Sequence, residues 1–281
     1  MSRDRHVWRH VGQGLVGGLA AAFACAAYLY LTLPDVRVLR TENPEETAFM
    51  RLRTEEAARA GDELKRAYRW VDYNRISPHL KRAVLVAEDS SFWEHDGIDF
   101  QQIKESMEIN FERMEFARGA STITQQLAKN LYLTPSKNPV RKLRELLIAR
   151  RLEAELSKRR ILELYLNVIE WGDGIFGAEA AARRHFHKSA AALSADESAM
   201  LAAAIINPRV LNPGAPNRRL RTRQQMIMRR MGAVTPPAPA ATAPEQAPAM
   251  PSPADAPLVL PGQVLVPPAP PAAPPRPPGG R

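Results

Sequence analysis

One segment near the N-terminus constrains the architecture of this chain more than any other. Residues 11–33 contain no Asp, Glu, Lys or Arg, and about 20 apolar residues suffice for a helix to span a bilayer. Pro34 ends the segment, and arginines precede it within residues 1–10. Because positively charged flanks tend to remain in the cytoplasm, the sequence predicts a single-pass anchor in the cell (inner) membrane. Residues 1–10 are then cytoplasmic, and the rest of the chain after the anchor is periplasmic or extracytoplasmic.

A cleaved signal peptide is the alternative for the same segment. Ala20, Ala22 and Ala24 offer small residues to a signal protease. The apolar run continues through residues 28–31, however, beyond the usual length of a signal core. The sequence therefore favours an uncleaved anchor.

The C-terminal residues 234–281 cannot form a core. They hold most of the 25 prolines of the chain, interleaved with alanine, and such a composition is typical of disordered segments. We expect a disordered Pro/Ala-rich tail that acts as a spacer. Cys25 is the only cysteine, which excludes an internal disulfide framework and a thiolate metal cluster.

Between the anchor and the tail, the apolar spacing is helical. Residues 34–69 are charged and rich in helix formers, which predicts a membrane-proximal stalk with a short helix. Within residues 70–233, apolar residues recur every three or four positions in the stretches 139–156, 158–168, 176–186, 194–206 and 217–231. Alternating strand patterns are scarce, so we expect an all-α domain.

Four dense polar blocks interrupt this apolar pattern in a fixed order. They are residues 88–97 (EDSSFWEHDG), 119–126 (GASTITQQ), 141–145 (RKLRE) and 158–167 (KRRILELYLN). Burying an unpaired charge is costly, so charged residues inside apolar helical patterns are expected to have ion-pair partners or a functional role. The blocks predict an active-site cleft.

The order and residue types of these blocks resemble the glycosyltransferase domain of peptidoglycan polymerases. Monofunctional biosynthetic transglycosylases and the N-terminal half of class A penicillin-binding proteins share that domain. The resemblance extends from Trp70 to Met231. It implies a lysozyme-like bilobal fold. The smaller, membrane-binding lobe of that fold corresponds to residues 111–119. It also implies polymerisation of lipid II into β-1,4-linked glycan strands, with inversion and release of undecaprenyl pyrophosphate. No transpeptidase domain is expected after Met231.

The first block contains the candidate catalytic base. Glu88 follows an apolar run and precedes aromatic residues, and loss of water raises the pKa of a carboxylate, which favours general-base catalysis near neutral pH. The catalytic base of the family aligns with Glu88. We expect Asp89, Phe92, His95 and Gly97 to form the loop scaffold that fixes it.

The second block predicts a substrate-binding helix. Ser121 or Thr122 is placed to cap this helix, and Thr122 with Gln125 has capping-box spacing. Gln125 and Gln126 suit hydrogen bonds to sugar hydroxyl and N-acetyl groups. The resemblance assigns Lys129 to the substrate pyrophosphate, a role that suits a compact ammonium charge.

The third block combines cations with a carboxylate. Arg141, Lys142 and Glu145 share one sector of a helix, and Ile148 and Leu152 continue that sector, which favours a partly closed phosphate-binding cleft. A surface pair between residues four apart is the alternative. The resemblance implies that Glu145 is the second essential carboxylate.

Two further assignments concern phosphate and metal binding. The resemblance extends the phosphate role to Lys137, although relatives often have an arginine there, whose bidentate fork a lysine lacks. In the fourth block, Glu163 and Asn167 could tie loops together. No all-protein metal site is evident and no cofactor is required, but a divalent cation such as Mg or Mn could assist pyrophosphate departure.

The net charge of +9 bears on the partners of the protein. Nucleic acid is one interpretation of such charge, but no nucleic-acid-binding motif is present. For a membrane-anchored domain on the exterior side of the membrane, the expected partners are membrane lipids, lipid II and the growing glycan strand. Cell-wall synthesis or division proteins are further expected partners.

Two alternative functions remain at this point. Two glutamates in a helical cleft also serve glycoside hydrolysis, although a hydrolase has no need for several cations beside the second carboxylate. A non-catalytic scaffold of the cell-wall machinery, which recruits partners through its tail, is the other alternative.

Overall fold

The computed structural model describes residues 2–104, 121–135 and 138–233. This part of the chain is mainly helical, which agrees with the predicted all-α domain. The α-helices are α1 (Ser2–Leu31), α2 (Ala48–Arg59), α3 (Pro78–Glu88), α4 (Ile123–Tyr132), α5 (Pro139–Glu155), α6 (Lys158–Val168), α7 (Ala178–Phe186), α8 (Ala195–Ala204) and α9 (Arg218–Ala233). Short 3-10 helices occur at Arg37–Arg40, Tyr73–Arg75 and Ala190–Ala192.

Side-chain caps explain where many of these helices begin. A side-chain oxygen just before the helix accepts a backbone N–H of the first turn, which satisfies a donor that has no partner within the helix. The capping residues are Thr47, Ser77, Thr122, Asn138, Ser157 and Ser194. The predicted cap at Thr122 is confirmed, because its hydroxyl accepts the N–H of Gln125.

A small sheet joins the stalk segment to the helical domain. Its strands are β1 (Ala67–Tyr68), β2 (Glu170–Gly172) and β3 (Ile175–Phe176), in the order β1-β3-β2. β1 is parallel to β3, and β2 is antiparallel to β3. The sequence did not predict this sheet, because strands of two or three residues are too short to show alternation. The all-α assignment is thus incomplete.

The core brings the end of α3 close to two other groups of helices. α3 packs against α8 and α9, while α4 packs against α5 and α6. Buried apolar side chains fill both contacts, including Leu80, Val84, Leu127, Leu152, Ile161 and Leu201. As a result, the C-terminus of α3 lies near both α4 and α9.

The predicted anchor lies mostly within α1. Arg144 and Arg151 of α5 hold the end of this helix by donating hydrogen bonds to the carbonyl oxygens of Thr32 and Leu33, at 2.9 and 3.4 Å. Among the residues that the structure describes, no helix has both the length and the hydropathy that crossing a bilayer requires. The structure therefore does not confirm the anchor predicted at residues 11–33.

Three predictions fall outside the described residues. They are the smaller lobe assigned to residues 111–119, the phosphate role of Lys137 and the disordered tail at residues 234–281.

Candidate active site

Glu88, the last residue of α3, is a largely buried carboxylate. Its Oε2 atom accepts a hydrogen bond from Nε2 of Gln126 at 3.0 Å, and its Oε1 atom lies 3.6 Å from the Arg223 guanidinium. Burial raises the pKa of Glu88, whereas Gln126, Arg223 and Lys129 oppose that rise. The direction agrees with the expectation from its apolar neighbours, and it suits a group that accepts a proton near neutral pH.

The amide beside Glu88 is fixed by a buried tyrosine. The Tyr165 hydroxyl donates to Oε1 of Gln126 at 2.9 Å, so the amide nitrogen must face Glu88. Tyr165 is fully buried, and burial raises its pKa well above the usual value. The hydroxyl therefore remains a donor, and the orientation of Gln126 is maintained.

The loop after Glu88 is tied to the start of α4. Asp89 is buried and accepts the backbone N–H of Ile123 at 2.9 Å. Nε2 of His95 lies 3.0 Å from the Asp89 carboxylate, and the N–H of Gly97 donates to Nδ1 of His95 at 3.1 Å. Since Nδ1 is an acceptor, Nε2 carries the proton and donates to Asp89.

Gly97 connects this loop to α4 and lies against Glu153 of α5. Its carbonyl oxygen accepts the Thr122 hydroxyl at 2.7 Å and the Gln125 amide at 3.3 Å. Its φ of +81° is rare for other residues, and a Cβ here would lie 2.9 Å from Cγ of Glu153. Phe92 is fully buried beneath the loop. The four scaffold residues Asp89, Phe92, His95 and Gly97 therefore belong to one connected loop structure.

A cation cluster surrounds the second glutamate. The Glu145 side chain is only 4% exposed, and it accepts a hydrogen bond from Arg141 at 2.8 Å and another from the Lys142 ammonium. Lys142 also reaches Oε1 of Gln125 at 3.2 Å and Oγ of Ser121 at 3.4 Å. This burial excludes the surface-pair alternative for Arg141 and Glu145.

Lys129 lies between the two glutamates. It is half-buried one turn after Gln126 on α4, and burial lowers its pKa while Glu145 and Glu88 oppose that effect. Among the described residues, no acidic group lies within 4 Å of its ammonium, whereas Glu145 is shared by Arg141 and Lys142. The cations thus outnumber the carboxylate they surround, and the cluster suits an anionic ligand.

The structure brings together nearly all the predicted site residues. Two groups emerge: the base with its scaffold, and the cluster of polar and cationic side chains on α4 and α5. The first comprises Glu88, Asp89, Phe92, His95 and Gly97, and the second comprises Ser121, Thr122, Gln125, Gln126, Lys129, Arg141, Lys142 and Glu145. Chemically, the first group contains a carboxylate that can accept a proton, and the second can bind an anion.

One trio has atoms close enough to suggest a metal site. Ligand atoms of Asp89, His95 and Asp99 lie within 4.8 Å of one another, a proximity that the sequence did not reveal. Asp89 already accepts from Ile123 and His95, and Asp99 accepts from Gln102 at 2.7 Å and from Ser91. Since these lone pairs and the His95 proton are engaged, the trio fits a hydrogen-bonded scaffold better than a metal.

Two contacts of the site were missed by sequence reasoning. Arg223 reaches Glu88 from α9, but it is one of several arginines there and no spacing singles it out. Tyr165 lies in the fourth polar block, and its hydroxyl orients Gln126. Both residues are far from Glu88 in sequence, so no local pattern links them.

Comparison with known proteins supports the resemblance found in the polar blocks. The family model described as Transglycosylase matches residues 55–232, which include every described site residue. A biosynthetic peptidoglycan transglycosylase of Laribacter hongkongensis is 44% identical over 224 residues, covering 79% of this chain and 98% of the relative. A protein of the same name from Thiobacillus denitrificans is 43% identical, covering 83% of this chain and 99% of the relative. Another from Dechloromonas aromatica is 47% identical, covering 69% of this chain and 84% of the relative.

Proposed function

This chain belongs to the transglycosylase family, and from that membership we propose that it is a peptidoglycan glycosyltransferase that polymerises lipid II. The products are β-1,4-linked glycan strands and undecaprenyl pyrophosphate. One observation carries the proposal: α4 presents Gln126 to Glu88 and, one turn later, presents Lys129 beside the cations around Glu145. α4 thereby contacts both the proton acceptor at the end of α3 and the anion site that it forms together with α5.

In the proposed reaction, Glu88 activates the acceptor. It takes the proton of the 4-hydroxyl on the glucosamine of the incoming lipid II. That oxygen forms a bond to the anomeric carbon of muramic acid at the reducing end of the growing strand. The bond from this carbon to the pyrophosphate oxygen breaks with its electron pair, so an α-linked donor gives a β-1,4 product. The raised pKa of Glu88 makes it a better acceptor for this proton.

The cation cluster stabilises the leaving group. Lys129, Arg141 and Lys142 face the negative charge that develops on the departing pyrophosphate, and fixed charges at such a place are often the largest contribution to catalysis. Glu145 is a positioning residue in this scheme, because it holds Arg141 and Lys142 by hydrogen bonds. Its single negative charge does not neutralise both cations. A divalent cation such as Mg or Mn could add to the same neutralisation.

The substrate suggests where the enzyme works. Lipid II is held in a membrane by its polyprenyl chain, so we place the catalytic domain at the extracytoplasmic membrane surface, with α1 as its attachment. Exposed apolar side chains on α1 support this placement, among them Leu19, Phe23 and Leu31 at 64%, 77% and 79% exposure. Membrane lipids and cell-wall synthesis or division proteins are then partners of the enzyme.

A turnover assay tests the proposed reaction. Purified protein incubated with lipid II should produce a polymer that lysozyme degrades, and it should form no peptide cross-links. Cleavage of finished glycan without polymer formation would instead identify a hydrolase. Absence of both activities in a folded protein would favour a scaffold.

A further inference from the structure

A small pocket lies where α1 ends and the chain continues onto the helical domain. Its volume is about 320 Å³, and it lies between the end of α1, the segment that follows and the C-terminal half of α5. Its lining includes Tyr30, Leu31, Asp35, Arg37, Arg151 and Glu155. Glu155 is ten residues after Glu145 on α5, about 15 Å along the axis. The pocket is therefore separate from the cation cluster around Glu145.

Two arginines of the pocket can bind a phosphate group. Nη1 of Arg151 donates to the carbonyl oxygens of Leu33 and Pro34, at 3.4 and 3.3 Å. In the described part of the chain, no carboxylate lies within 4 Å of the Arg151 guanidinium. Arg37 is paired with Asp35 at 2.8 Å, yet its side chain is 67% exposed. Because guanidinium groups bind phosphate oxygens through paired N–H donors, these two side chains suit a phosphate ligand.

Two carboxylates lie among these cations. Asp35 accepts the backbone N–H of Arg37 at 3.0 Å and its guanidinium at 2.8 Å, and Glu155 accepts Arg40. The two carboxylate side chains are 59% and 27% exposed, and each carboxylate has about four acceptor sites. The Arg37 side chain holds the pKa of Asp35 well below its usual range, so this group is ionised at neutral pH. The pocket thus favours a ligand with an ammonium next to its phosphate over a simple anion.

The apolar side of the pocket adjoins the proposed membrane attachment. Tyr30 and Leu31 are 60% and 79% exposed at the end of α1, and the Arg151 guanidinium lies 5.4 Å from the centroid of the Tyr30 ring. Tyrosines are enriched where a bilayer meets water, and arginines there keep their charge at the level of the headgroups. A ligand of this pocket can therefore place its charged groups among the arginines and its hydrocarbon along α1.

We propose that the pocket binds the headgroup of a membrane glycerophospholipid that carries a primary ammonium next to its phosphate, as phosphatidylethanolamine does. Arg37 and Arg151 bind the phosphate. Asp35 and Glu155 accept the ammonium, and the acyl chains lie beside Tyr30. The inference rests on the attachment through α1 that is part of the proposed function. It assigns this lipid a place at the junction of α1 and α5, where it is a bound component and not a substrate.

Binding of three lipids to the full chain tests the proposal. Phosphatidylethanolamine, phosphatidylcholine and phosphatidylglycerol with identical acyl chains are titrated into the protein in neutral detergent, and bound lipid is counted by native mass spectrometry. Phosphatidylcholine has the same charges but no N–H to donate, and phosphatidylglycerol has no ammonium. Phosphatidylethanolamine should bind ~10-fold more tightly than either, a decade being about 1.4 kcal/mol. Equal or tighter binding of either of the other two lipids would overturn the proposal.

Two variants separate the halves of the headgroup site. Asp35→Asn/Glu155→Gln removes both carboxylates, so phosphatidylethanolamine should bind within about twofold of phosphatidylcholine. Arg151→Gln should weaken the binding of both lipids by ~10-fold. Glu42→Gln is the matched control, because Glu42 is an exposed carboxylate of the same segment that does not line the pocket. It should change neither affinity. A preference for phosphatidylethanolamine that survives in the carboxylate variant would contradict the proposal, even where Arg151→Gln fails to fold.

A soluble headgroup separates a lipid site from a solute site. Free phosphoethanolamine has the same charged groups without acyl chains, and it should bind at least ~10-fold more weakly than the lipid, because burial of hydrocarbon adds to binding. Equal affinity would assign the pocket to a solute and exclude the membrane lipid. All these measurements are made without lipid II. A folded chain that fails to polymerise lipid II would refute the proposed function and leave the lipid preference unchanged.

Discussion

At the scale of single residues, the environment of Glu88 combines two opposing influences. Burial disfavours its charged form, while Gln126, Arg223 and Lys129 favour it. The net rise in pKa shows that desolvation is the stronger influence. A carboxylate held in this way is a stronger proton acceptor than an exposed one.

Replacing Glu88 by Gln should separate catalysis from binding. The variant Glu88→Gln keeps the size of the side chain but removes the proton acceptor, so polymerisation should fall by ~10²–10⁴-fold. Binding of a pyrophosphate-containing inhibitor should change little, whereas Glu145→Gln and Lys129→Ala should weaken it. Measuring lipid II turnover and inhibitor affinity for the three variants tests this. Near-normal turnover of Glu88→Gln would refute the assignment of the base.

The same substitution should not cost stability at neutral pH. Because the pKa of Glu88 is raised in the folded state above the usual 4.5, its stabilising contribution is present below that usual value and is lost as pH rises through the folded pKa. The Tm of Glu88→Gln should therefore match or exceed that of the unmodified protein at pH 7. A clearly lower Tm would mean that the lost Arg223 contact outweighs desolvation.

Arg223 should control the pH dependence of the reaction. Its guanidinium lowers the pKa of Glu88, so Arg223→Gln should raise that pKa further. The base must be ionised to act, and the acidic limb of the rate profile should move to higher pH. Profiles of kcat/KM against pH measure the shift, with Arg221→Gln on the solvent-exposed side of α9 as control. An unchanged acidic limb would show that Arg223 does not act through Glu88.

Residue identity was easier to predict than residue contacts. Glu88 could be singled out because its apolar and aromatic neighbours adjoin it in sequence. The Gln126 amide that reaches it, and the Tyr165 hydroxyl that orients this amide, come from separate helices. Arg223 comes from a third. Such contacts depend on how helices pack, which no local pattern encodes.

At the scale of elements, local signals were strong for helices and absent for strands. The stretch 158–168 was predicted from its spacing and is helical over Lys158–Val168, since both the apolar period and the Ser157 cap act within a few residues. β1 pairs with β3 across more than a hundred residues, and two-residue strands have no period to detect.

Asn167 should be important for the junction between α6 and the segment that precedes α3. Its side chain accepts the N–H of Val71 and donates to the carbonyl of Val71, both at 2.9 Å, which confirms the predicted loop-tying role. Asn167→Ala leaves these buried groups unpaired and should lower the free energy of unfolding by about 2–4 kcal/mol. Asn74→Ala, at an exposed site, should change it by less than about 0.5 kcal/mol. Urea unfolding of both variants measures the difference, and equal effects would contradict the role.

At the scale of the whole molecule, the tail should be dispensable for chemistry. All the described site residues precede it, and its Pro/Ala-rich composition predicts no folded structure. Ending the chain after Ala233 should keep lipid II polymerisation in detergent within about twofold, or roughly 0.4 kcal/mol at the transition state. A tenfold loss in a shortened protein with unchanged helical content would assign the tail a catalytic role.

The proposed attachment through α1 should matter on membranes and not in solution. A chain that begins at Tyr28 lacks most of α1 but keeps the carbonyl groups that Arg144 and Arg151 bind, so the catalytic domain should remain intact. In detergent, its turnover of lipid II should match that of the full chain within about twofold. On vesicles, the full chain gains from the high effective concentration of an enzyme and a substrate confined to one surface, so the shortened chain should be slower by ~10-fold or more. Equal rates on vesicles would show that another surface of the domain provides the membrane contact, and α1 would then need a different explanation.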